Sequence, residues 1–119
     1  MFEIVFYTDA RGFSDVEQFI KDLDTKSTND KNARVNFTKI VAYFDLLEEY
    51  GVLIGMPVTR HLDGAIWELR PISNRFLYAF YKNQSFIVLS CFEKKSQKTP
   101  RREIDKAVKR LEEYRKRNG

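Results

Sequence analysis

Apolar residues recur along this chain with two different periods, and the change from one to the other divides it. Phe2-Glu3-Ile4-Val5-Phe6-Tyr7 is aromatic and β-branched and is stopped by Thr8-Asp9-Ala10-Arg11-Gly12, which predicts a strand. Ser14-Asp15-Val16-Glu17 has the form of a capping box: the Ser14 oxygen can accept from the Glu17 amide while the Glu17 side chain reaches back. Val16, Phe19, Ile20 and Leu23 follow at helical spacing, and residues 25–30 break the helix. A longer stripe, Ala33, Phe37, Ile40, Val41, Phe44 and Leu47, runs to a stop at Gly51. The short connection between the two stripes predicts an αα-hairpin.

After Gly55-Met56-Pro57 the period falls from about 3.6 to 2. Strands are predicted over residues 58–62, 65–70, 75–81 and 85–92, with hairpin turns at Asp63-Gly64 and Asn83-Gln84. Thr99-Pro100 opens a last helix whose inner stripe is Ile104, Ala107, Val108 and Leu111. Its outer face carries Arg102, Lys106, Lys109 and Arg110, and residues 115–119 are expected to fray. The pattern predicts one α+β domain over residues 1–119: an N-terminal strand, an αα-hairpin, an antiparallel strand meander and a C-terminal helix.

The turns imply a register. With residues 71–74 as a loop, Arg70 stands opposite Arg75, and directly opposed residues share a face. A two-residue turn at Asn83-Gln84 sets Lys82 against Ser85 and hence Arg75 against Phe92. A two-residue turn at Asp63-Gly64 sets His61 against Ile66. One face would then gather His61, Glu68, Arg70, Arg75, Phe92 and Lys94, with Arg60 turned away unless a bulge reverses the first hairpin. Two guanidinium groups opposed in this way repel each other unless an anion lies between them. Two readings follow: an internal Arg-Glu-Arg network through Glu68, or a phosphate site, which the planar bidentate fork of arginine suits.

Charge sharpens the second reading. Residues 1–59 hold 6 basic and 10 acidic side chains, and residues 60–119 hold 15 and 7, so the halves carry −4 and +8. An excess confined to one half points to a polyanion or an acidic protein partner. The basic loop Lys94-Lys95-Ser96-Gln97-Lys98-Thr99-Pro100 lies within that half. The single cysteine, Cys91, cannot form an intrachain disulfide, and with no leader-like start at Met1 a cytoplasmic, reducing setting is expected. No apolar run nears the ~20 residues of a membrane span. One His, one Cys, no carboxylate cluster at ligand spacing and no Gly-rich phosphate loop leave no metal site and no cofactor expected.

WELRP, NRFLYAFY and IVLSCFEKKSQKTPRREIDKA, read together, resemble the RelE/ParE toxin superfamily, in particular its phage-derived HigB-like branch. The resemblance spans nearly the whole chain, and residues 62–107 are its specific part. It implies a RelE-like fold and a cytoplasmic toxin of a type II toxin–antitoxin pair. The toxin would cleave mRNA on the ribosome and be neutralised by a cognate antitoxin, a HigA-like helix-turn-helix protein that alone would bring operator DNA. Relatives of the ParE kind inhibit DNA gyrase instead, and an inactive antitoxin-binding relative is a further alternative. Carried over by position, Arg60, Arg70 and Arg75 match the family's basic residues, and Lys94 and Lys95 fall where relatives place catalytic or phosphate-binding groups. Some relatives have a His or Tyr in the loop after the last strand. This chain has neither between Phe92 and Pro100.

RNA cleavage without a metal needs a base for the 2′-OH, cations for the pentavalent phosphate and an acid for the 5′-oxygen. Arg70 and Arg75 are good stabilisers and poor bases. Lys94 is the candidate base or acid. His61 is an alternative, because imidazole titrates near neutrality. Glu68 would orient Arg70. Lys95, Lys98, Arg101 and Arg102 are the expected RNA-phosphate contacts, with Lys106, Lys109 and Arg110 directed to ribosomal RNA. Phe92 could stack a base but reads as core.

Overall fold

In a computed structural model that describes residues 1–119, five strands form one sheet: β1 (Glu3–Phe6), β2 (Thr59–Asp63), β3 (Ile66–Leu69), β4 (Asn74–Tyr81) and β5 (Ser85–Glu93). Their order across the sheet is β1-β5-β4-β3-β2. The four later strands are an antiparallel meander, and β1 adds to its edge parallel to β5. Helices α1 (Asp15–Lys26) and α2 (Lys31–Tyr50) cover one face, and α3 (Arg101–Asn118) covers the other. The expected α+β architecture is present as three layers. No helix is long and apolar enough to cross a membrane.

Alternation along the strands builds two cores. Leu69, Phe76, Tyr78, Phe86 and Val88 face the helical hairpin and meet Val16, Ile40 and Leu47. Ile66, Leu77, Ala79, Ile87 and Leu89 face α3 and meet Ile104, Ala107 and Leu111. β4 and β5 are therefore buried on both sides, which explains why NRFLYAFY and SFIVLSCFE read as nearly unbroken apolar runs.

The helix boundaries follow local chemistry. Ser14 Oγ accepts from the Glu17 amide at 3.1 Å, and Asp30 Oδ1 accepts from the Ala33 amide at 2.9 Å. Gly51 ends α2 at φ 64°, and a Cβ there would stand 2.8 Å from the Phe2 ring, so both backbone and space call for glycine. Val41 belongs to the predicted stripe but is 41% exposed, because the buried arc of α2 is narrower than the run of apolar residues. The C-terminal turns do not fray. Arg117 holds Glu113 and the Thr8 carbonyl, Lys82 Nζ donates to the Asn118 carbonyl at 3.3 Å, and Tyr81 Oη donates to the Gly119 carbonyl at 3.2 Å.

Two hairpins depart from the expected register. Tyr81 pairs with Ser85, so the β4–β5 loop has three residues, with Asn83 and Gln84 both at positive φ. A bulge between Leu77 and Tyr78 then restores the expected pairing of Arg75 with Phe92. In the β2–β3 hairpin Asp63 pairs with Ile66, and a bulge between His61 and Asp63 sets His61 against Trp67 and Arg60 against Glu68. Thus Arg60 joins the face of Glu68 and His61 leaves it, the reverse of the two-residue-turn register.

Candidate functional site

The basic cluster forms at one end of the sheet, on the face covered by α3. Glu68 is its centre. The residue is fully buried, because the row Arg60–Glu68–Leu77–Ser90 crosses the sheet beneath the start of α3. A carboxylate there must be paired. Glu68 Oε1 accepts from Arg60 Nε at 2.9 Å and from Arg70 Nη1 at 3.0 Å, and Oε2 accepts from the Thr99 hydroxyl. Both oxygens are engaged, so Glu68 acts here as an orienting anion.

Arg70 lies just past the end of β3, its side chain 12% exposed. Arg75, at the start of β4, has no carboxylate within salt-bridge distance. Its Nη1 donates to the carbonyls of Ile72 and Asn74 at 3.0 and 2.8 Å. Burial, and after it the charge of Arg70, hold its guanidinium below the usual arginine range, partly offset by Glu68. Three guanidinium groups thus surround one carboxylate, a formal excess of two positive charges.

The fork of Arg75 is half used. No protein group accepts from Nε or Nη2 of Arg75, or from Nε or Nη2 of Arg70. The only buried side-chain polar atoms lacking a partner in this protein are Asn36 Oδ1 and Ser90 Oγ. The spare N–H groups of Arg70 and Arg75 therefore reach water, where an oxyanion can replace it.

The basic loop closes this corner. Its first residue, Lys94, is half-buried, and its amide donates to the Ser73 carbonyl at 2.8 Å, one step beyond the β4–β5 ladder. Lys95 and Lys98 are exposed, and neither has a carboxylate within 4.0 Å. Arg60 Nη2 donates to the Gln97 carbonyl at 3.3 Å, joining strand edge to loop. Arg60, His61, Gln97, Lys98 and Thr99 line an open groove along the β2 edge. His61 reaches this groove from the opposite face: its ring lies 5.1 Å from Trp67, and Nε2 is 2.7 Å from the Gly64 carbonyl. Phe92 is half-buried against the α3-side core.

Other predicted cations are committed elsewhere. Arg101 pairs with Asp63 at 2.6 Å and Asp105 at 3.0 Å, and Arg102 stands 3.9 Å from Glu103. Arg110 is not a free surface cation. It forks onto Asp15 at 2.7 and 2.9 Å, donates to the Leu89 carbonyl at 2.8 Å and stacks on the Tyr7 ring at 4.7 Å. Arg102, Lys106 and Lys109 remain along an all-polar groove on α3.

Burial pushes the Cys91 thiol and the Tyr78 hydroxyl up to about 12, which removes both as proton carriers near neutrality. Tyr114 packs between Tyr7 and Tyr81, far along α3. No group of three or more His, Cys, Asp or Glu side chains is gathered closely enough to hold a metal ion. Two contributors escape a reading by sequence: Thr99, legible only as the residue before a helix, and the carbonyls of Ile72 and Asn74, which carry no side-chain signal.

A family model described as "Phage derived protein Gp49-like (DUF891)" matches residues 18–112, which include every element of this corner. No curated protein matches the chain.

Proposed function

The chain belongs to the phage-derived Gp49-like family, within the RelE-like toxin group, and from that premise we propose that it is a ribosome-dependent mRNA endonuclease of a toxin–antitoxin pair. The family implies an antitoxin partner. The HigB-like assignment and a HigA-like helix-turn-helix antitoxin are the finer part of this proposal. The observation that carries the reading is the charge imbalance at the end of the sheet, where Arg60 and Arg70 share the single carboxylate of Glu68 and Arg75 stands beside them with no carboxylate partner.

In this mechanism the 2′-oxygen of a nucleotide attacks the adjacent phosphorus as its proton passes to a base. The P–O5′ bond breaks, and the leaving oxygen takes a proton, giving a 2′,3′-cyclic phosphate and a free 5′-hydroxyl. Spare N–H groups of Arg70 and Arg75 stabilise the extra negative charge of the pentavalent phosphate. Lys94 is the side chain assigned to proton transfer, since His61 lies on the opposite face of the sheet with Nε2 2.7 Å from the Gly64 carbonyl. Lys95 and Lys98, free of carboxylate partners, bind flanking phosphates. An acid–base set this sparse needs a substrate already held in place, and orientation of that kind lowers a barrier by ~7–11 kcal/mol. The ribosome would supply it.

Primer extension on mRNA with and without ribosomes, in a buffer holding only the Mg²⁺ the ribosomes need, is the test. Cleavage only in the presence of ribosomes is expected. Intact mRNA in growth-arrested cells whose DNA supercoiling has changed would overturn the reading in favour of gyrase inhibition.

A further inference from the structure

The basic loop carries three lysines of the proposed site, yet only one of its side chains is buried. That side chain is Thr99, 7% exposed. Its hydroxyl donates to Glu68 Oε2 in a charge-assisted bond, and its oxygen also stands 3.5 Å from Arg60 Nη2. A threonine just before a helix ordinarily uses its hydroxyl to cap the first turn. Here Pro100 occupies the N-cap position, no side chain caps α3, and the Thr99 hydroxyl turns to the sheet instead.

The consequence is geometric. Arg60 and the arginines beside β3 and β4 are set by the sheet. Lys94, Lys95 and Lys98 are set by the loop. The loop is tied at its ends by the Lys94 amide to Ser73 and the Thr99 hydroxyl to Glu68, and between them only by the exposed Gln97 carbonyl, which accepts from Arg60 Nη2 at 3.3 Å. Residues 95–98 are exposed, and Ser96 Oγ bonds only within the loop, to the Lys98 carbonyl at 3.2 Å.

We propose that Thr99 is a positioning residue for RNA cleavage. By fastening the basic loop to the same carboxylate that orients Arg60 and Arg70, it fixes the lysines relative to the phosphate-binding arginines. This rests on the cleavage reading above. The Thr99 hydroxyl is spent on Glu68. It acts through Glu68 and the loop.

The test uses the full chain with Thr99→Val, which keeps the shape and removes the hydroxyl, and Thr99→Ser, which restores the hydroxyl. Ribosome-bound mRNA is cleaved under saturating and subsaturating conditions, amide hydrogen exchange is followed across residues 94–99, and Tm is measured for each protein. Thr99→Val should lower kcat by ~10-fold or more with KM within about twofold, since misplacing a reacting group costs turnover more than binding. Exchange of the Lys94 amide, held by the Ser73 carbonyl, should quicken, and Thr99→Ser should recover both. A Thr99→Val protein that keeps the parent kcat overturns the proposal, as does a loss that Thr99→Ser fails to repair. A parent that cleaves no RNA on ribosomes overturns the cleavage reading itself, a result distinct from an active parent with an equally active Thr99→Val.

Discussion

Two corners of this sheet, both beneath α3, bury arginine in opposite ways. At one, Arg110 has a carboxylate of its own: it meets both oxygens of Asp15, the Leu89 carbonyl and the face of Tyr7. At the other, Arg75 has two backbone carbonyls and no carboxylate, and its nearest charged neighbours include two more arginines. The first corner is closed, with each charge answered, and it pins α3 to α1. The second carries unanswered charge and open donors. Burial of cations alone therefore does not mark a site in this protein. The mark is a mismatch between cations and the anions built to meet them.

Removing the one anion of the open corner should have the largest effect. Glu68→Ala leaves Arg60 and Arg70 without their shared partner beside Arg75, and breaking a buried pair in this way costs ~3–5 kcal/mol. Urea unfolding should report a large fall in midpoint. A midpoint like that of the parent would mean that water, not Glu68, balances these cations.

Exchanging single arginines separates the corners. Arg75→Ala should lower cleavage by ~10²–10³-fold, the usual cost of losing one donor to a developing oxyanion, with a smaller fall in urea midpoint than Glu68→Ala, because the lost bonds to Ile72 and Asn74 are partly offset by relieved repulsion with Arg70. Arg110→Met should leave cleavage intact and cost about 1 kcal/mol of stability, the bond to Asp15 being discounted for its partly exposed carboxylate. If Arg110→Met abolishes cleavage as thoroughly, the contrast between closed and open corners fails.

Acid should weaken the closed corner. The fork of Arg110 holds the Asp15 carboxyl below its usual range, against the opposing effect of burial. Arg117, with Tyr7, pulls Glu113 down from 4.5 to about 2. A carboxyl with a depressed folded pKa gives stability that is complete above its unfolded pKa and is lost as pH falls through the folded value. Stability should therefore decline between about pH 4.5 and about pH 2. Asp15→Asn and Glu113→Gln should each flatten that decline in a urea–pH series, and Arg75→Ala should leave its slope unchanged.

The smallest effect concerns the turn beside Arg75. Ile72 adopts φ 52°, a conformation costly for a β-branched residue, and its carbonyl is held by Arg75. Ile72→Gly should raise stability by about 0.5 kcal/mol, the relief of strain outweighing the added freedom of the unfolded chain. A fall in Tm would show that the turn carries no strain.

Much of this was legible along the chain. The change of period after Pro57 separated helices from strands, and the predicted capping residue Ser14 sits where α1 begins. The turn after Arg70 by itself brings Arg70 and Arg75 into one neighbourhood. The pairing of Arg75 with Phe92 also came out as expected, although through two departures that cancel: a three-residue loop and a bulge. Arg60 and His61 exchanged faces because a single bulge moves every upstream residue by one step. A bulge leaves no mark in residue type when either register buries comparable apolar surface.

Local propensity and alternation act over a few residues, so the sequence by itself determined the helices, the strands, the αα-hairpin and the excess of positive charge in the second half. It also supplied the arginines and lysines as candidates. Only the tertiary structure decided which cations have an anion. Arg110 meets Asp15 across 95 residues of chain, and Thr99 meets Glu68 across 31. Partnerships of that reach depend on how layers pack, and packing assigned Asp15 to Arg110 and left Arg75 to share Glu68's corner without a carboxylate of its own.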